Sequence, residues 1–250
     1  MKKDYSNSFF LTRHMMRALR NHKARKQKPK VWYIEEWKWA YLQIPKIAST
    51  SIARSIAKYL FDLAGEKKAL EDITKDDVRS KSSIYAHHMA RKETAQLGDD
   101  VFKFAFVRNP LDRLYSCYKD KIVNASKNTG YNILWSHGYT LDMTFDDFVK
   151  LTHRTKDQDV NRHLRSQSFY LSYDGRNLFD HVAKMENMEE EWQVLMEKIS
   201  LPPLLHVNKS RKSDDSYAKH YTKETADLAY ERYRWDVETL GYEEDIRALL

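Results

Sequence analysis

The chain is poor in the residues that build special backbone or covalent structure: one cysteine, six glycines and five prolines in 250 residues. With Cys117 alone, neither an internal disulfide framework nor a thiolate zinc site can form. That cysteine lies in an aromatic helical stretch and is expected to be a small buried hydrophobe. Internal repeats and low-complexity linkers are absent. No apolar run approaches a membrane span, and Phe9, Phe10 and Leu11 make an island too short for a secretory signal. These absences point to a cytoplasmic protein. At 42% hydrophobic and 32% charged residues the chain can bury one sizeable core.

What is present in excess is positive charge, +7 net, and its placement matters. Ten Lys and Arg stand in residues 1–30 against Asp4 alone, leaving 33 basic and 35 acidic residues in 31–250. The body is near neutral, which argues against a nucleic-acid partner. The expected division is a basic N-terminal arm over 1–30 and one domain over 31–250. The arm mixes its cations with Phe9, Phe10, Leu11, Met15, Met16 and Leu19. It could lie on an anionic membrane surface or pack on the body. The oligomeric state has no sequence signal.

The first chemical motif is Tyr41 to Ile52, a buried strand that passes Pro45-Lys46 and opens into a helix rich in hydroxyls. A helix start presents unpaired N–H groups and the positive end of the macrodipole, and a lysine at the turn adds a full charge. Both glycines of the nucleotide-kinase loop are missing here. The second motif is Phe102 to Val107, another apolar strand, ending at Arg108-Asn109-Pro110. Asn109 is a favoured cap and Pro110 suits a first helical turn. Leu111, Leu114, Tyr115, Tyr118 and Ile122 then fall on one helix face. A guanidinium offers phosphate a planar fork of donors, and a hydroxyl such as Ser116 adds a neutral one.

Taken together, Pro45-Lys46-Ile47-Ala48-Ser49-Thr50-Ser51 resembles the 5′-phosphosulfate loop of sulfotransferases that use 3′-phosphoadenosine 5′-phosphosulfate (PAPS). Phe104 to Lys121 resembles the 3′-phosphate motif of the carbohydrate-type (family 2) members. Further similarity covers Phe179 to Met188, His206 to Ser210 and Tyr230 to Tyr242. The resemblance implies an α/β three-layer sandwich with a central, mainly parallel sheet, the P-loop NTPase-like sulfotransferase fold. It implies sulfuryl transfer from PAPS to a hydroxyl of a carbohydrate or glycolipid, leaving PAP as product. Lys46, Ala48, Ser49, Thr50, Ser51 and Ile52 would meet the 5′-phosphate, and Arg108 and Ser116 the 3′-phosphate. Lys209 and Ser210 would close over the nucleotide. Arg113 is expected in a structural ion pair. A sulfate ester carries less charge than a phosphate monoester, so no metal is expected.

The catalytic base is expected to be a histidine, His88 or His87, between the two donor loops, with a carboxylate elsewhere as the alternative; His88-Met89-Ala90-Arg91-Lys92-Glu93 resembles a family segment that favours His88. Arg162 to Gln167 resembles a His-x-x-x-Gln segment near the acceptor. His163 and Gln167 are therefore acceptor candidates, expected on one helix face. The rival readings are a small-molecule kinase with a degenerate P-loop and a catalytically silent module that grips anionic glycans.

Along the chain, Trp32 to Ile44 and Ser83 to His87 have strand character. Ser51 to Leu63, Thr144 to Leu151, Glu189 to Ile199 and a long segment from Thr222 to Gly241 have helical character. Asn124 to Tyr139 is polar and turn-rich, as expected of an acceptor-facing loop.

Overall fold

The computed structural model describes residues 28–125, 137–204 and 216–247. The basic arm up to residue 27, most of the expected acceptor-facing loop, and Lys209 and Ser210 lie outside the described residues.

The first expected strand is a hairpin. β1 (Lys30–Ile34) and β2 (Trp39–Gln43) pair antiparallel, with Trp32 opposite Tyr41. The polar run Glu35-Glu36-Trp37 between them forms one 3-10 turn, and Lys38 reverses the chain in the left-handed region at φ 52°. Beyond β2 come α1 (Ser49–Leu63) and α2 (Lys75–Tyr85). Thr74 and Asp77 cap α2 reciprocally, and the helix consumes most of the segment expected as a strand. Only Ala86–His88 remains extended, as β3.

α3 (Arg91–Ala95) precedes β4 (Phe102–Val107) and α4 (Pro110–Tyr118), the latter capped by Asn109 as expected. The helix then widens into a π turn over Lys119–Val123. α5 (Phe145–His153), capped by Thr144, and α6 (Gln167–Leu171) follow. A small hairpin, β5 (Ser172–Tyr173) and β6 (Arg176–Asn177), leads to β7 (His181–Lys184). α7 (Met188–Ile199), α8 (Lys223–Leu240) and α9 (Glu243–Arg247) complete the described chain. Gly241 ends α8 at φ 67°, a left-handed cap that glycine adopts without strain.

The central sheet has the order β3-β1-β2-β4-β7, flanked by helices. It is mixed rather than mainly parallel: β2, β4 and β7 pair parallel, while β1 runs against both β2 and β3. The tight hairpin is the reason, since a short connection can only join antiparallel neighbours. Four consecutive residues of β2, Trp39 to Leu42, are buried, as are Phe104 to Val107 of β4. Covering helices on both faces would give such continuous apolar strands. On α1, Ile52 and Ile56 are fully buried, each contributing about 1.5–3 kcal/mol of apolar transfer. Among the described residues no helix is long and apolar enough to cross a membrane.

Candidate active site

β2 and β4 are parallel neighbours with Leu42 beside Ala105, so the turns that follow them leave the sheet at the same edge. Ligands in α/β sheets bind beyond this carboxyl edge. Here Lys46 and Arg108 come together: an Arg108 Nη1 donates to the Lys46 carbonyl at 3.3 Å.

The first turn is strained. Lys46 has φ 71° and Ala48 φ 40°, left-handed conformations that cost a non-glycine residue about 1–2 kcal/mol. Two cations hold it in place from outside. Arg108 meets the Lys46 carbonyl, and Arg113 Nε donates to the Pro45 carbonyl at 3.1 Å. The helix it opens begins on Ala48, whose side chain cannot cap it. The backbone of Ser51 and Ile52 already donates to the Ala48 carbonyl. Ser49, Thr50 and the Ser51 hydroxyl therefore remain as the donor-bearing groups on the cavity wall.

The second turn is closed on itself. Gln167 Oε1 accepts from the Arg108 N–H at 2.9 Å, and its Nε2 donates to the Arg108 carbonyl at 2.8 Å. Glu186 accepts from the Asn109 N–H at 2.6 Å. The Asn109 side chain caps Leu111 and Asp112. Asp112 grips the Arg108 guanidinium with both oxygens, at 2.8 and 2.7 Å. Among the described residues Arg113, 1% exposed, finds no ion-pair partner; it donates to the carbonyls of Pro45, His163 and Arg165 instead.

Between the turns lies a cavity of about 620 Å³. It is lined by Lys46, Ala48, Ser49, Thr50, Ser51, Arg108 and Ser116, and also by Lys28, Lys30, His88, Arg162 and His163. Among the described residues Asp120 is the one carboxylate on its lining, ion-paired to Lys46 at 3.0 Å. Burial opposes its ionisation, but Lys121 and Lys46 outweigh that and hold its carboxyl below the usual range. Lys30 is pushed down by burial and by Arg162. Such an excess of close cations favours an anionic ligand. Among the described residues no group of three or more metal-ligating side chains gathers.

Within this geometry the comparisons with known proteins find one family. Its profile matches residues 29–243, a span that takes in both turns and every cavity residue except Lys28. The chain belongs to the sulfotransferase family. Carbohydrate sulfotransferase 14 of Mus musculus and that of Homo sapiens are each 24% identical to it over 179 residues. The alignments cover 68% of this chain and 46% of each relative, so the chain spans about half the length of these curated relatives. No solved structure matches the chain.

In this member of the family, several expected site residues sit elsewhere than the sequence placed them. Ile52 is fully buried in the core, and its N–H is engaged by Ala48. His87 alternates with His88 along β3 and is absent from the cavity wall that His88 joins. Gln167 and His163 do not share a helix face, because α6 begins only at Gln167. Gln167 is fully buried, both ends of its amide held by Arg108, so it has no surface for an acceptor. Cys117 is buried as expected, and burial raises its thiol to about 11.

Asp120, Lys30, Arg162 and Asn161 escaped the sequence reading. The signal for Asp120 was available: it follows Ser116 by four residues, on the same helix side. That for Asn161 was its position two before His163, where an Asx side chain meets nearby backbone. Lys30 and Arg162 had no local signal, since only strand pairing and loop folding bring them to the cavity.

Proposed function

We propose that the protein transfers a sulfuryl group from PAPS to a hydroxyl of a carbohydrate or glycoconjugate, on a three-layer P-loop-like core. The observation that carries this reading is the convergence of Lys46 and Arg108 across one cation-lined cavity, with an uncapped helix start between them. In this reading the 5′-phosphosulfate lies against the N–H groups and hydroxyls of Ser49 and Thr50 and the hydroxyl of Ser51. Arg108 and Ser116 take the 3′-phosphate.

Lys46 leaves Asp120 for the oxygen that bridges phosphorus and sulfur. As the S–O bond lengthens, negative charge builds on that oxygen, and the ammonium stabilises it more than it stabilises the ground state. The acceptor oxygen attacks sulfur from the opposite side and gives its proton to a histidine on the cavity, His88 or His163. The 5′-phosphate gains one negative charge as the bridging bond breaks, which Lys46 and the helix start can balance without a metal.

Calorimetry with PAP, AMP and ATP–Mg tests the donor. PAP should bind without metal and raise Tm, whereas AMP, lacking the 3′-phosphate, should do so far less. Equal effects from PAP and AMP would take Arg108 and Ser116 out of the phosphate role. Preference for ATP–Mg would favour a kinase. Labelled PAPS with a carbohydrate acceptor panel then tests transfer, and a large loss on adding chelator would refute the metal-free mechanism.

A further inference from the structure

His163 Nδ1 lies 2.7 Å from Asn161 Oδ1, and the His163 backbone N–H donates to the same atom at 3.0 Å. A backbone N–H can only donate, so that Asn161 atom is the carbonyl oxygen. An oxygen acceptor requires Nδ1 to carry the ring proton, which leaves the lone pair of the neutral ring on Nε2. Among the described residues no donor meets Nε2, and the ring lines the cavity that holds Lys46. The backbone is equally fixed. Arg113 donates to the His163 carbonyl at 3.2 Å and to the Pro45 carbonyl at 3.1 Å, so one guanidinium ties this histidine to the Lys46 turn. His88, by contrast, is exposed on an edge strand, and among the described residues its ring meets the Lys28 carbonyl, at 3.3 Å.

We propose that His163, oriented by Asn161, is the base that takes the acceptor's proton, and that donor binding is what arms it. This rests on the sulfotransferase reading above. The acceptor O–H proton passes to Nε2 while the acceptor oxygen bonds to sulfur. The bridging S–O bond breaks with its electron pair going to the 5′-phosphate, and the imidazolium later returns its proton to water.

The arming is electrostatic. Burial, then Arg162 on the same loop, Lys121 on the π turn, Lys46 on the first turn and Arg113 on α4 hold the ring's pKa down at about 3. Asp120, a carboxylate on the cavity lining, is occupied by Lys46 and Lys121. The ring is thus neutral but weakly basic before donor binds. The anionic donor offsets these cations and raises its proton affinity at the moment a base is needed.

The test uses the full chain with ¹⁵N-labelled histidine, assigned with His163→Gln, and PAP as the probe. Without PAP, His163 should show the Nδ1–H tautomer and no titration between pH 5 and 8. Saturating PAP should bring its midpoint into that window. PAP that binds by calorimetry without moving the midpoint overturns the proposal; PAP that fails to bind overturns the sulfotransferase reading beneath it. In transfer assays His163→Asn should lower kcat by about 10²–10⁴-fold with PAP affinity preserved. Asn161→Asp places a carboxylate on Nδ1–H and should shift the acid limb of kcat upward by about one pH unit. A fully active His163→Asn, or an Asn161→Asp profile superimposable on the parent, removes His163 from the proton transfer.

Discussion

The two strand-to-helix turns at the carboxyl edge are built from opposite principles. The turn after β2 is strained at Lys46 and Ala48, opens an uncapped helix, and is held by Arg108 from the turn after β4 and by Arg113 from α4. The turn after β4 is capped by Asn109, bracketed by Gln167 and Glu186, and its arginine is chelated by Asp112. One turn leaves its polar groups for a ligand; the other satisfies nearly all of its own. Where a backbone stays unsatisfied and strained while its neighbour is fully bonded, the first is the better candidate for binding chemistry. The second is scaffold that presents one guanidinium.

The largest expected effect breaks the first turn's chemistry. Lys46→Ala should lower kcat by about 10²–10³-fold, the usual loss when one donor to a developing charge is removed, with PAP affinity falling by less. Arg108→Ala should invert that pattern: PAP binding by calorimetry weakens about 30–100-fold, while kcat at saturating donor changes little. If the two variants lose kcat and affinity in the same proportion, the contrast between the turns has no catalytic meaning.

Stability sharpens the comparison from another side. Gln167→Ala leaves the Arg108 N–H and carbonyl unpaired beside a buried void, and should cost about 2–3 kcal/mol in denaturant unfolding. Ala48→Gly in the first turn should change stability by less than about 1 kcal/mol, since relief of the left-handed strain and the added chain entropy oppose each other. Equal losses would show that both turns are scaffold. The smallest effect is at Asp120. Asp120→Asn removes the carboxylate that holds Lys46, and PAP should bind a few-fold more tightly, read by calorimetry. Weaker binding would mean that Asp120 positions the lysine rather than competing with its ligand.

Local rules carried much of the fold. Asn109 with Pro110, Thr144 with Asp147, and Thr222 with Gly241 each mark a helix end through contacts within a few residues, and the helices lie where those signals put them. The hairpin within Trp32 to Ile44 was missed because aromatic β-formers continue across it and its reversal uses Lys38 rather than glycine. The strand expected at Ser83 to His87 lost to a helix already committed by the Thr74 cap.

By itself the sequence determined the two cationic turns and their phosphate-binding residue types, because strand, turn and helix start are written in contiguous residues. Only the tertiary structure decided what each remaining polar residue faces. Gln167 was withdrawn into the core, Arg113 was turned onto three carbonyls, His88 was separated from His87, and Asn161 was set against His163 in a cavity with Lys46. These outcomes depend on strand register and on loops brought together from distant parts of the chain, where buried polar groups must find partners that local sequence does not contain.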